Sequence, residues 1–158
     1  MGVLEILSSE RVSVSSSSEG LIHTKNGALR RLAELLATAT DVPVAEIERV
    51  LVEREKVQST GVGGGVAIPH GSIATLELHI GAILLCPQPI DFDAIDSAPV
   101  SILFAVIGPK RAAGEHLKIL ARVSRLLRQD DFRRQLLAAP TGLAAYNCIQ
   151  AEETRGSA

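Results

Sequence analysis

One segment differs from the rest of the chain: Ser59-Thr60-Gly61-Val62-Gly63-Gly64-Gly65-Val66-Ala67-Ile68-Pro69-His70-Gly71, where five of the eleven residues from Gly61 to Gly71 are glycine. Glycine accepts positive φ and lets successive backbone N–H groups converge on one point, an arrangement that cradles an oxyanion such as phosphate. The segment closes on His70 behind Pro69, whose ring restricts Ile68 to extended conformations and mounts the imidazole at the end of a short strand. A histidine beside anion-binding amides can act as a general base, ligate a metal or attack phosphorus as a nucleophile. No GK[ST] follows the glycines, and neither Gly61 nor Gly63 begins a complete G-x-G-x-x-G, so the nucleotide-binding fingerprints are excluded. His79, Cys86 and His116 are too far apart in sequence for a metal-ligand set, and Ser72, outside any GxSxG elbow, is badly placed for a serine–histidine relay. The nucleophilic reading survives by elimination. On spacing alone, a glycine-rich turn carrying a solvated histidine stands open beside it.

The balance of the chain excludes other classes. Sixteen Lys and Arg against 18 Asp and Glu leave a formal net charge of -2, with no basic stripe for nucleic-acid phosphates. The longest apolar run, Ile80 to Leu85 with its glycine, is far short of the ~20 residues of a spanning helix, and Glu5 stands where a basic leader would be. Neither membrane insertion nor export is expected. Cys86 and Cys148 lie in apolar surroundings without CxxC spacing, which points to a reducing, cytoplasmic compartment and no zinc or disulfide scaffold. A chain of 158 residues suits one domain that buries roughly 70% of its unfolded surface without such staples.

The elements that must position His70 follow from periodicity. Residues 1–23 read as an irregular arm with one short strand around the serine run Ser15 to Ser18. From Thr24, Leu29, Leu32, Leu35 and Leu36 mark one face of an amphipathic helix, with Arg30, Arg31 and Glu34 toward water. A second helix starts after Asp41 as N-cap, with Pro43 in its first turn and Val44, Ile47, Val50 and Leu51 inward, and ends near Arg54 or Glu55. His79 to Cys86 and Val100 to Ile107 are nearly continuous apolar runs bounded by prolines, as expected of central strands covered on both faces. Helical spacing returns over Glu115 to Arg128 (Leu117, Leu120, Val123, Leu127), after Asp130, and after Pro140-Thr141 (Leu143, Tyr146, Ile149). Strands in the middle and helices on either side imply an α/β sandwich, one domain over 1–150 with a disordered tail over 151–158.

Other polar residues have plainer readings. His116 by itself would be a cap or surface histidine, and His23 and His79 read as surface or structural. Asp91, Asp93 and Asp96, interleaved with Phe92 and Ile95, lack a calcium-loop pattern and read as a solvated turn. Arg122, Arg125 and Arg128 form a solvated face that would also suit an acidic patch on a carrier. Cys86 reads as a small buried hydrophobe.

The run Glu55-x6-Val62-Gly63-x2-Val66-Ala67-Ile68-Pro69-His70-Gly71 resembles the signature of enzyme IIA domains of the fructose/mannitol/nitrogen type in the bacterial phosphoenolpyruvate-dependent phosphotransferase system. Flanking pieces agree: Leu7-Ser8-x-Glu10-Arg11-Val12, Arg54-Glu55-x3-Ser59-Thr60-Gly61, Ile90-x-Phe92-Asp93-Ala94-Ile95-Asp96-x2-Pro99-Val100 and His116-Leu117-x2-Leu120. The resemblance implies a single central mixed β-sheet flanked by helices on both faces. It implies that His70 takes a phosphoryl group from a histidine phosphocarrier protein and passes it to a IIB component, or holds it as a signal to a regulatory target. His116 becomes the second site histidine, hydrogen-bonding the phosphoryl group or the His70 ring; Gly63, Gly64, Gly65 and Gly71 become backbone donors, and Arg54 a charge at the rim. No cofactor or metal is implied. Gly64 and Ser72 depart from the asparagine and lysine common at those positions, which bears on partner choice. The nitrogen-regulatory type fits best, with a sugar-specific transport component or a docking regulator without phosphotransfer as alternatives.

Overall fold

The computed structural model describes residues 2–156. A short helix, α1 (Val3–Ile6), and a 3-10 turn (Ser9–Arg11) lead into β1 (Val12–Val14). The helical stripes of the first third form α2 (Lys25–Ala37) and α3 (Val44–Val57). The glycine-rich segment becomes three short strands, β2 (Gly61–Gly63), β3 (Val66–Ala67) and β4 (His70–Ser72), and the two apolar runs become β5 (Ile80–Ile90) and β6 (Val100–Gly108). Helices α4 (Ala113–Leu127), α5 (Asp130–Leu137) and α6 (Gly142–Gly156) follow.

The sheet is mixed and six-stranded, in the order β1-β5-β6-β3-β2, with β4 also paired to β6. β5 and β6 run antiparallel at its centre, Leu84 opposite Leu103, while β1 is parallel to β5 and both β3 and β4 are parallel to β6. Side chains alternate between the two faces of a strand, so each central strand supplies two cores. Ala82, Leu84 and Cys86 with Leu103, Ala105 and Ile107 pack on α2 and α3; Ile83 and Leu85 with Ile102, Phe104 and Val106 pack against α1, α4, α5 and α6. The expected architecture, one mixed sheet with helices on both faces, is what forms. Leu29, Leu32, Leu36, Ile47 and Leu51 are fully buried beneath the sheet's first face, each burial contributing roughly 1.5–3 kcal/mol.

Local expectations fail where a backbone or long-range partner outweighs the pattern. Pro43, not Asp41, takes the N-cap position of α3, its carbonyl accepting from the Glu46 and Ile47 amides, and the helix continues to Val57. Arg31, expected to face water, donates to Ser13 Oγ at 3.1 Å and the Glu19 carbonyl at 2.9 Å, which ties the arm to α2. Leu117 and Leu143 are exposed, because each lies on the outer side of its helix. Of the tail expected to be disordered over 151–158, residues through Gly156 continue α6, and Glu153 meets Arg122 at 3.7 Å; 157 and 158 lie outside the described residues.

Candidate functional site

Proline decides where His70 stands. β3 pairs Val66 and Ala67 with Ile102 and Leu103, Pro69 has no N–H to continue the ladder, and pairing resumes as β4, His70 opposite Val106. Alternation continues across the break: Val66 and Ile68 belong to the core beneath α4, and His70 follows them to that side. There its ring centroid lies 5.7 Å from that of His116, in the first turn of α4, with the planes tilted by 50°. The chain leaves β6 through Gly108-Pro109 and turns into α4, which is how a residue 46 positions away in sequence reaches the end of β4.

The His70 ring is fixed at one edge. Its Nδ1 lies 2.8 Å from the Ile68 carbonyl, which can only accept, so Nδ1 carries the proton and Nε2 holds the lone pair. Burial lowers the His70 pKa from its ordinary value; the bond to Ile68 opposes this, the nearby Arg54 guanidinium adds to it, and Glu55 opposes it. A groove of about 390 Å³ opens in front of the ring, lined by Arg54, Ser59, Thr60, Val62, Ile95, Leu120 and Ser124 among others. Its rim is apolar: Val62 and Ile95 are exposed, and Leu117 is exposed one turn before Ala121, which lines the groove.

His116 is 8% exposed, with Nδ1 sealed and without a partner. Burial, then the neighbouring His70 and His79, push its pKa down to about 4, so the ring is neutral at physiological pH. His79 was not singled out by the sequence, yet it stacks on His116 with centroids 5.4 Å apart and planes within 29°. The signal available was register: Ile80 opposes Ile107 as His70 opposes Val106, so the residue before β5 flanks the same end of β6. Three imidazoles therefore form a row, His70, His116, His79.

Glu55 organises the approach to this row. It is 8% exposed, accepts from the Thr60 amide at 3.0 Å and from the Thr60 hydroxyl, and pairs with Lys25 at 2.9 Å. Lys25 also donates to the Phe92 carbonyl at 3.1 Å, which Ser59 Oγ shares at 3.1 Å. The turn from α3 into β2 is thereby tied to α2 and to the loop after β5. Arg54, in the last turn of α3, donates to the Gln58 carbonyl at 2.8 Å and lines the groove with His70.

Gly63, Gly64 and Gly65 do not line the groove that His70 lines. Gly63, Gly64 and Gly65, with φ of 99°, 67° and 78°, make the turn of the β2–β3 hairpin. The Gly64 amide donates to Asp96 Oδ2 at 3.3 Å, and the Gly65 carbonyl accepts from Ser101 and Ile102. Gly63 and Gly64 line a neighbouring groove with Arg128 and Arg133, sharing only its Val62 and Ser124 wall with the groove that His70 lines. The carboxylate of Asp96, read as solvated, thus holds an amide expected for an anion. Gly71 serves space: a Cβ there would fall 2.4 Å from Val50 Cγ1 of α3. Among the described residues, no group of three or more His, Cys, Asp or Glu could hold a metal ion, and no helix is long and apolar enough to cross a membrane.

A neutral imidazole with a free Nε2 over an open groove, beside a second neutral imidazole and an arginine, is equipped to take and hold an electrophilic oxyanion. Residues 5–152 match the family model described as "Phosphoenolpyruvate-dependent sugar phosphotransferase system, EIIA 2". The chain is 39% identical over 128 residues to a nitrogen regulatory protein of Bradyrhizobium diazoefficiens, covering 81% of this chain and 84% of that one. It is 37% identical over 117 residues to the fructose-specific EIIA component of Haloferax volcanii, covering 73% and 76%. The crystal structure of nitrogen regulatory protein IIA-Ntr from Neisseria meningitidis superposes with a TM-score of 0.82 at 31% identity, over 92% of this chain and 97% of that one.

Proposed function

We propose that this chain, which belongs to the EIIA 2 family of the phosphoenolpyruvate-dependent sugar phosphotransferase system, is a cytoplasmic phosphocarrier of the nitrogen-regulatory type that is phosphorylated on His70 Nε2. The observation that carries this is the pinning of Nδ1 to the Ile68 carbonyl at 2.8 Å, which leaves Nε2 as the only nucleophilic nitrogen and points it away from the strand. The donor is a phosphorylated histidine carrier protein. The Nε2 lone pair attacks phosphorus as the P–N bond to the donor breaks, and the electron pair of that bond returns to the donor imidazole. The His70 proton stays on Nδ1, donated to the Ile68 carbonyl.

Phosphoryl transfer between imidazoles needs little covalent help beyond in-line positioning and donors for the three equatorial oxygens. Neutral His116 supplies one N–H without adding a cation that would lower the nucleophilicity of His70, and Arg54 supplies charge at the mouth of the groove. Neutral imidazole nucleophiles are favoured by the burial that lowers both pKa values. In a second transfer a nucleophile of a IIB component attacks phosphorus as the P–N bond to His70 breaks, and the electron pair of that bond returns to His70 Nε2. Held instead, it adds about two negative charges inside an apolar rim and changes which partner the rim accepts.

A sugar-specific role is the second reading, favoured by the fructose-specific relative at nearly the same identity as the nitrogen-regulatory one. The chemistry at His70 is common to both. The test is incubation with phosphoenolpyruvate, enzyme I and the histidine carrier, with intact mass and acid lability of the adduct as readout. An acid-labile, base-stable phosphoryl group absent from His70→Ala supports the reading; no adduct with active partners leaves a docking regulator.

A further inference from the structure

His79 has no part in the chemistry described so far, yet it is among the few buried polar residues, at 6% exposure. Its imidazole stacks on His116 at 5.4 Å, and it lies against a bare stretch of β6: a Cβ on Gly108 would fall 2.2 Å from its Cδ2 and 2.4 Å from its Nε2. The ring therefore occupies space that only glycine at 108 leaves open. Its Nε2 is sealed without a partner, so no hydrogen bond at that nitrogen explains why a histidine is buried there.

The neighbour it touches needs a restraint. His116 can serve a phosphoryl group on His70 only with the N–H edge of its ring turned to the groove. Its Nδ1 is sealed and unpartnered, and a buried orphan N–H is costlier than an unsatisfied lone pair, so the proton resides on Nε2. No hydrogen bond holds the inner edge of that ring. The χ2 torsion of histidine is broad, so sequence-local geometry does not fix the plane of the ring. A flat ring stacked within 29° of coplanar does.

We propose that His79 is a positioning residue for phosphoryl transfer: its ring, seated over Gly108, is the platform that holds the His116 imidazole with Nε2–H toward His70. This rests on the phosphocarrier reading. It assigns His79 no contact with the phosphoryl group and no proton of its own to transfer.

Single-turnover uptake from the phosphorylated histidine carrier, at varied carrier concentration, separates orientation from docking. His79→Leu fills the volume without a flat face, and its saturating rate is expected to fall about tenfold, the scale of a misoriented catalytic group, with the carrier KM unchanged. His79→Phe keeps the platform and is expected to stay within about twofold of wild type. Gly108→Ala displaces the ring without replacing it and is expected to behave as His79→Leu, so the test does not hang on one variant folding. Nitrogen-15 NMR of His116 in the unphosphorylated protein is expected to show one tautomer in wild type and His79→Phe, and a mixture in His79→Leu. Wild-type rates in both His79→Leu and Gly108→Ala, equal losses in His79→Leu and His79→Phe, or a loss confined to KM would each overturn the proposal. A wild-type chain that takes up no phosphoryl group overturns the phosphocarrier reading itself, and this role with it.

Discussion

The glycine turn at Gly63 to Gly65 lies a few residues before His70, the first ring of the histidine row at the far end of β6, and turn and row are built differently. In the turn, positive φ at three successive glycines closes a hairpin, and the amide freed at Gly64 is taken by Asp96. In the row, each ring is placed by a different element: His70 by β4, His79 by the start of β5, His116 by α4. Glycine richness marks where the backbone bends, while the group that faces the groove is a side chain whose one fixed hydrogen bond turns its other nitrogen outward. A cluster of glycines beside a histidine is thus weak grounds for an anion nest unless the amides are shown to be free.

The sharpest way to break this contrast is at His70. His70→Ala is expected to abolish phosphoryl uptake with the fold intact, read by intact mass and circular dichroism; retained uptake would remove the row from the chemistry. The supporting network is next. Glu55→Ala leaves Lys25 and the Thr60 groups without their buried partner and is expected to cost about 3 kcal/mol of stability in urea titration, the scale of breaking a buried pair. His116→Ala is expected to slow uptake roughly hundredfold with the fold retained by circular dichroism, as for loss of one positioned donor or acid–base group. In the turn, Gly64→Ala forces a side chain to φ 67° and is expected to cost about 1 kcal/mol while uptake stays within about twofold. A large loss of uptake there, at unchanged stability, would return the turn to the phosphoryl site.

A further expected effect is in pH. His116 is neutral in the fold down to about 4, and the unfolded chain takes up that proton from 6.5 downward. The unfolded state therefore binds more protons between these values, so stability rises with pH from about 4 to 6.5 and is level above, with His70 and His79 adding in the same direction. Melting temperatures across that range measure the slope, and His116→Phe, which cannot titrate, is expected to flatten it.

Much of the architecture was legible because it rests on periodicity. The two apolar runs are the central strands, and the stripes at Leu29, Leu32, Leu36, Ile47 and Leu51 are the helices beneath them. The errors have a common cause: Arg31 and Asp41 are read from their neighbours in sequence, and what decides them is the backbone or residues far along the chain. His79 is the clearest case. Nothing within ten residues of it marks it, and only the pairing of β5 and β4 on β6, with α4 folding back across their ends, brings it onto His116.

What the sequence by itself determined is the set of groups and the layers: a histidine mounted behind proline, a second histidine on a later helix, and strands apolar on both faces. Those follow from local sterics and from burial, which act over a few residues. Only the tertiary structure decided which nitrogen of His70 is free, which amides are occupied and which third ring lies behind His116. Each depends on distances between segments that share no local pattern, and a shift of one residue in β-sheet register would undo it.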